Sequence, residues 1–178
     1  KDIYHDCHYE DIDGDVYLES AKLLRRYLPE GGIVLDYGCG IGDFLKALGV
    51  EEFIPFGVEF DADAAKLASS NANCIALSVS EFSKMTNPPQ FDAIHLGDVL
   101  EHLPNPAETL KELITYLKPD GVLFVEGPLE INPSLVYWSA KLFGRMKRII
   151  KPDFIASNAP THLFRTGGIQ QLAFFKYI

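Results

Sequence analysis

The chain has 178 residues, a length that suits one domain. Its 16 basic and 25 acidic residues give a net charge of −9, which disfavours a protein whose whole surface binds nucleic acid or anionic lipid. Three dispersed cysteines do not suit a disulfide framework and predict a cytoplasmic protein, and no apolar run approaches the roughly twenty residues that span a bilayer.

Apolar runs alternate with turn residues along most of the chain, in a strand–helix rhythm. The pattern predicts helices at residues 15–28, 43–48, 61–71, 106–117 and 166–176. It predicts five short buried strands at residues 33–36, 53–58, 74–77, 91–96 and 122–126, with a turn at 118–121. Strands that alternate with helices need right-handed crossovers, so we expect a doubly wound, mostly parallel, Rossmann-like α/β sheet.

Three glycines at alternate positions follow the first predicted strand, in DYGCGIG at residues 36–42. Glycine lets the chain turn sharply and lets a ligand lie against the main chain. Dinucleotide binding requires G-x-G-x-x-G, and here Asp43 stands where the third glycine would fall. Asp36 and Asp43 would also repel a pyrophosphate. The turn therefore predicts a ligand other than a nicotinamide dinucleotide.

Glu59 ends the second predicted strand, seventeen residues after Gly42. A carboxylate at that place can accept hydrogen bonds from both hydroxyls of a ribose. The order strand, glycine turn, helix, strand and acid favours a nucleoside-containing cofactor. The alternative is a tight turn followed by a solvated glutamate.

Four segments carry a resemblance to a known family: LDYGCGIGDFL, GVEFDAD, FDAIHLGDVLEHLPNP and LKPDGVLFVEGP. In order and spacing they resemble the motifs of class I S-adenosylmethionine-dependent methyltransferases. The small-molecule branch, which includes ubiquinone-biosynthesis O-methyltransferases, is the most similar. The resemblance covers residues 33–128 and implies direct methyl transfer from S-adenosylmethionine to an oxygen of a small-molecule acceptor.

The resemblance also implies a set of cofactor-binding residues. The glycine turn would hold the methionine part of the cofactor, Glu59 the ribose, and the next two residues the adenosine. At the adenine amino group, where the family usually has an acid, we expect a serine, Glu81 or the main chain. The whole set is Asp36, Tyr37, Gly38, Cys39, Gly40, Gly42, Glu59, Phe60, Asp61, Ser78, Val79, Leu96 and Gly97.

A cluster of ionisable residues follows the fourth predicted strand. Asp98, Glu101 and His102 share one face if the segment makes a helical turn, and His162 comes sixty residues later. In one interpretation His102 and Glu101 only cap and orient the turn. In a second, a histidine (His102 or His162) takes the proton from the acceptor hydroxyl.

In a third interpretation, Asp98, Glu101, His102 and His162 hold a divalent cation such as Mg²⁺. The D-x-x-E-H…H pattern is similar to the metal sites of small-RNA 3′-terminal 2′-O-methyltransferases. A metal-dependent RNA 2′-O-methyltransferase is therefore an alternative function. A catalytically inactive domain that binds the cofactor or a partner protein is another.

The amino-acid composition of the chain changes after residue 128. Residues 129–160 are expected to form a lid or insertion within a single domain, residues 1–178. Between 137 and 151, basic and aromatic residues alternate, which is typical of a solvated helix, a lid or a peripheral membrane contact. Family members close their sheet with an antiparallel strand hairpin, and we expect that C-terminal hairpin to be missing here.

Overall fold

A computed structural model describes residues 14–127 and 168–177. Contacts divide the chain into two compact units, Lys1–Gly127 and Pro128–Ile178. The first contains α1 (Gly14–Tyr27), β1 (Ile33–Tyr37), α2 (Asp43–Val50), β2 (Ile54–Glu59), α3 (Ala62–Ala72), β3 (Ile75–Ser78), α4 (Val79–Phe82), β4 (Phe91–Gly97), a 3₁₀ turn (Leu100–His102), α5 (Pro106–Ile114) and β5 (Leu117–Glu126). The described part of the second unit is α6 (Gly168–Tyr177).

The five strands form one sheet in the order β3-β2-β1-β4-β5, and every neighbouring pair is parallel. The predicted α/β fold is confirmed. The chain runs outward from β1 to β3 and then returns to β4 on the other side of β1, so the strand order reverses between β1 and β4. In open α/β sheets, ligands bind outside the carboxyl ends of the strands at this reversal.

The sheet has a hydrophobic core because its central strands are covered on both faces. Val34 and Leu35, neighbours on β1 that point to opposite faces, are both fully buried. On the Val34 face, the core continues into α1 and α2 through residues such as Leu24 and Leu45. Because both faces of the central strands are covered, the carboxyl ends of β1 and β4 are held in place.

Every predicted strand and helix among the described residues is present, with ends shifted by a few residues. The largest difference is in β5, which begins at Leu117: the predicted turn at 118–121 is an irregularity within that strand, where the register with β4 shifts. α4 was not predicted, because its signal is only four residues long. Among the described helices, none is long and apolar enough to cross a membrane.

Candidate cofactor-binding and active site

The glycine-rich turn between β1 and α2 is held against the end of β2. The amides of Gly38 and Cys39 both donate to the carbonyl of Val58, at 2.7 and 3.2 Å. Gly42 begins α2 with φ 94°, and a Cβ there would lie 3.0 Å from main-chain atoms of Ala68. Glycine fits both that dihedral angle and that space, so the close contact between the turn and α3 depends on it.

Glu59 joins the end of β2 to this turn. Its Oε2 accepts from the Gly40 amide at 2.7 Å, and its Oε1 accepts from the amides of Phe60 and Asp61 at 2.7 and 3.2 Å. A carboxylate offers about four acceptor positions, so three are in use. Two ribose hydroxyls therefore cannot both bind Glu59 unless one of the three amides gives up its place.

An aromatic pair lies beside the turn. Tyr37 is buried and its ring meets Phe60 edge-on, with the centroids 5.5 Å apart. Phe60 is 53% exposed, so its ring is accessible next to Glu59. The carboxylate of Asp61 caps α3 by accepting from the amides of Asp63 and Ala64.

The residues expected near the adenine form a helix cap. Ser78 Oγ and the Ser78 amide both donate to Glu81 Oε2, at 2.6 and 2.8 Å, and Ser78 Oγ accepts from the Glu81 amide at 3.2 Å. These hydrogen bonds from Ser78 lower the pKa of Glu81. Since the two side chains are occupied with each other, the main chain of Val79 is the alternative that the geometry favours.

Leu96 and Gly97 differ in what they can contribute. The Leu96 side chain is fully buried, so it cannot line a ligand site, and a contact there would involve its main chain. Gly97 ends β4 on the same face as His95, whose ring occupies the space above it: a Cβ at Gly97 would lie 2.8 Å from His95 Cε1. The absence of a side chain at Gly97 therefore follows from packing.

His95 is the centre of a buried network that the sequence analysis did not identify. Its Nδ1 lies 2.7 Å from Asp36 Oδ1, and its Nε2 lies 3.1 Å from Glu126 Oε2. Ser20 on α1 donates to the other oxygen of Glu126 at 2.8 Å. A histidine inside the apolar run FDAIHLG was a usable signal, because a buried imidazole needs polar partners.

Cys39, within the turn, is not a nucleophile. Its side chain is buried, and burial together with the nearby charges of Asp36 and Glu59 raises the pKa of its thiol well above the ordinary value. A thiol that stays protonated is a poor attacking group. Cys39 therefore serves the turn by packing.

Two carboxylates converge beyond the end of β4. Asp98, in a left-handed conformation at φ 50°, donates its amide to the carbonyl of Glu126 at 3.1 Å. A Cβ at Gly127 would lie 3.6 Å from Glu101 Oε2 and 4.0 Å from Asp98 Oδ1. Glu101 Oε1 is buried and has no hydrogen-bond partner in the part of the chain that the structure describes. The carboxylate oxygens of Glu101 and Asp98 therefore lie near each other, beside Gly127.

The expected metal site is not assembled by the nearby residues. Within residues 14–127 and 168–177, no group of three or more His, Cys, Asp or Glu side chains has an arrangement that could hold a metal ion. The short 3₁₀ turn therefore does not bring Asp98, Glu101 and His102 together as ligands of one metal ion. His162, the predicted lid at 129–160 and the basic segment at 137–151 lie outside the described residues.

Comparison with known proteins decides the family. Residues 13–153 match the family described as "Methyltransferase domain". The chain belongs to this family. The resemblance to class I S-adenosylmethionine-dependent methyltransferases is confirmed for family and fold.

Individual relatives of this methyltransferase domain act on different classes of acceptor. A ubiquinone biosynthesis O-methyltransferase of Glaesserella parasuis is 34% identical over 146 residues, which cover 75% of this chain and 58% of that protein. A ribosomal protein L11 methyltransferase of Thermosipho africanus is 28% identical over 151 residues, covering 72% and 56%. The chain therefore spans somewhat more than half the length of these relatives.

A solved structure gives the same fold. The amino pentose methyltransferase of calicheamicin biosynthesis from Micromonospora echinaspora, with S-adenosylmethionine bound, superposes with a TM-score of 0.57. Identity is 22%, and the match covers 66% of this chain and 52% of the other. At this identity, the similarity establishes the fold of the methyltransferase domain.

Proposed function

We propose that this domain transfers a methyl group from S-adenosylmethionine to an oxygen of a small-molecule acceptor. One observation carries the proposal: Glu59 and the Gly40 amide are bonded at the carboxyl ends of adjacent strands, beside the reversal of strand order. This is the place where an open α/β sheet binds its ligand. Family membership supports the same cofactor.

The residues present fit that cofactor. A Cβ at Gly38 would collide with the side chain of Val99, so glycine lets the main chain of the turn lie this close to the segment that follows β4. Glu59 supplies an anionic acceptor for ribose hydroxyls, one of which takes the place of the Gly40 amide. Phe60 offers an exposed ring to the adenosine. Asp36 and Tyr37 begin the turn below the methionine part.

The bound cofactor supplies the electrophilic methyl group. The domain's own residues align the two reactants, exclude water and accept a proton from the acceptor hydroxyl. We assign the proton transfer to His102 or His162, because imidazole titrates near neutral pH. A divalent cation is the less favoured assistant, since Asp98, Glu101 and His102 do not form a metal-ligand group by themselves.

The choice of a small-molecule oxygen follows the relatives that are named O-methyltransferases. We also propose a cytoplasmic location, on the basis of the few dispersed cysteines. The predicted contact of residues 137–151 with a membrane surface remains a proposal, as does a lid at residues 129–160. Methylation of RNA is not favoured, because it requires a basic channel and the chain is acidic overall.

Thermal unfolding with S-adenosylhomocysteine tests the cofactor assignment, with NADH as the control. A ligand at a hundred times its Kd adds about 2.7 kcal/mol of stability. Each kcal/mol moves the midpoint of a domain of this size by roughly 2–4 °C. We expect a shift with S-adenosylhomocysteine and none with NADH. A shift with NADH alone would contradict the assignment.

Separate variants test the proton acceptor. His102→Ala and His162→Ala should leave the Kd of S-adenosylhomocysteine within about twofold, and one of them should slow methyl transfer by about 100-fold, as is usual for loss of a general base. The readout is transfer of labelled methyl to a panel of hydroxylated acceptors, with and without Mg²⁺. Full rates in both variants would remove the histidines from the mechanism.

A further inference from the structure

Three ionisable side chains from three neighbouring strands meet at the carboxyl edge of the sheet. Asp36 on β1 and His95 on β4 are register partners, directly opposite each other at the reversal of strand order. Glu126 is the last residue of β5, on the other side of β4. The side chains of Asp36 and His95 are each 4% exposed, and that of Glu126 is 40% exposed. The network thus begins in the core and reaches the surface at β5.

The two contacts of His95 determine its protonation. Both ring nitrogens face carboxylates, and an ionised carboxylate accepts hydrogen bonds but does not donate them. Only the imidazolium donates from both nitrogens. Burial lowers the pKa of His95, but the hydrogen bonds and charges of Asp36 and Glu126 outweigh burial and raise it to about 9. His95 therefore joins two carboxylates as a cation at neutral pH.

Packing fixes the direction of the ring. Phe44 of α2 lies against the His95 ring with the centroids 4.0 Å apart, and Phe124 lies 5.2 Å away. The ring extends along β4 over Gly97, toward the edge where the glycine-rich turn begins. Ser20 holds the far oxygen of Glu126. The His95 ring and the Glu126 carboxylate are thus each restrained from more than one side.

We propose that His95 is a positioning residue of the methyl-transfer site, which holds Asp36 at the start of the glycine-rich turn at a fixed separation from Glu126 at the end of β5. The inference rests on the proposed function, because it concerns how the cofactor turn is held in place. His95 acts through Asp36 and needs no contact with the ligand. When the link is broken, two acidic side chains at the edge repel each other and the turn loses its support.

Two variants of similar shape each keep one of the two hydrogen bonds of His95 and remove the other. The amide nitrogen of Asn can occupy the place of Nδ1, so His95→Asn keeps the hydrogen bond to Asp36. The amide nitrogen of Gln reaches the place of Nε2, so His95→Gln keeps the bond to Glu126. Ile94→Val, on the opposite face of the same strand, is the control for a general loss of stability.

We expect His95→Gln to weaken binding of S-adenosylhomocysteine by at least about tenfold, the effect of one lost hydrogen bond to a charged group. His95→Asn keeps the bond to Asp36 but loses the anchor at Glu126, so it should weaken binding less than His95→Gln does, by about threefold. Ile94→Val should bind as the wild type does. Calorimetric titration measures all four proteins. If the wild type does not bind, the proposed function fails. If the wild type binds and both His95 variants bind as tightly as the wild type does, the positioning role alone is wrong.

A pH series provides a readout that a merely structural histidine would not affect. The folded-state pKa of about 9 lies above the ordinary value of 6.5, so the stabilisation is complete below about pH 6.5 and is lost as pH rises through about 9. Affinity for S-adenosylhomocysteine should fall over that range in the wild type and stay level in His95→Gln. The charged groups that act on the ring are Asp36 from β1 and Glu126 from β5. Tyr17 of α1 packs against Phe44, and the carboxylates of Asp43 and Asp98 act on Tyr17.

If the His95 variants do not fold, Glu126→Gln replaces them, since Glu126 is partly exposed and amide-for-carboxylate substitution preserves its shape. ¹⁵N imidazole spectra of this variant should show His95 losing a proton at lower pH than in the wild type, accompanied by weaker ligand binding. An unchanged imidazole titration would overturn the proposal, and so would a shifted titration with unchanged ligand affinity.

Discussion

The glycine turn and the segment after β4 lie at the same edge of the sheet, yet they differ in how their polar groups are satisfied. In the turn, Glu59 accepts three amide hydrogen bonds, and the Gly38 amide donates to β2. After β4, Glu101 has a buried oxygen with no partner among the residues described. The first region is rigid because the chain satisfies its own polar groups. The second presents a carboxylate oxygen, Glu101 Oε1, that none of the described residues uses.

This difference agrees with the roles we propose for the two regions. A turn that is already ordered before binding suits a cofactor common to a whole family, because the turn then loses little conformational entropy when the cofactor binds. An acceptor site can be completed by other segments of a chain. The turn should therefore respond to substitution mainly in cofactor affinity, and the segment after β4 mainly in rate.

The largest effect is expected at Glu59. Glu59→Gln removes the charge and puts amide hydrogens where amide donors now point, so the Kd of S-adenosylhomocysteine should rise by about 100-fold or more. The control is Glu52→Gln, at the opposite end of β2, where the side chain is 85% exposed. Calorimetric titration measures both variants. Equal affinities would show that the turn is not the cofactor site.

A second substitution tests the rigidity of the turn. Gly42→Ala places a Cβ at a positive φ and within 3.0 Å of the Ala68 main chain, so unfolding free energy should fall by about 2 kcal/mol. In Gly49→Ala the new methyl meets nothing within 4 Å, and the helix should gain up to about 1 kcal/mol. Urea unfolding compares the pair. Similar changes in the two variants would mean that the turn tolerates distortion.

Glu101→Gln tests the second region. Because Glu101 Oε1 is buried without a partner among the described residues, neutralising this group should leave stability unchanged within about 1 kcal/mol. The rate of methyl transfer should fall by about tenfold, while cofactor affinity is preserved. Exposed Glu108→Gln is the matched control. A rate equal to that of the control would leave Glu101 as a residue that only orients the turn.

The smallest effect is expected at the helix cap next to the proposed adenine position. Ser78→Ala removes the side-chain half of the capping box and should cost about 1 kcal/mol of stability. Cofactor affinity should change by less than about threefold, because we assign the adenine contact to the main chain of Val79. Affinity lower by more than tenfold would reassign the contact to the serine hydroxyl.

The sequence predicted the fold well, because each strand is a short apolar run and each turn has glycine, proline or a capping residue. Asp61, for example, is a capping residue at the start of α3. The register shift in β5 was not predictable, since residues 118–121 have the composition of an ordinary turn and only pairing with β4 draws them into the strand. α4 begins with a capping box whose spacing, Ser78 to Glu81, is visible in the sequence, but its four residues are too few to show a helical period.

For the candidate site, the sequence identified residues by motif but not their mutual bonds. It placed Glu59 next to a ribose, whereas the structure shows that Glu59 already holds the turn through Gly40. It did not identify His95, because a lone histidine in an apolar strand has no local partner: Asp36 is 59 residues away and Glu126 is 31 residues away. Long-range pairing of this kind depends on strand order, which periodicity does not reveal.

The most direct test of the central claim is a crystal structure of the protein with S-adenosylhomocysteine bound. We predict that the ribose lies at the carboxyl ends of β1 and β2, with a hydroxyl bonded to Glu59 in place of the Gly40 amide, and with the Asp36–His95–Glu126 network intact beneath it. A ligand bound at another edge of the sheet, or a bound ribose with no contact to Glu59, would contradict the account.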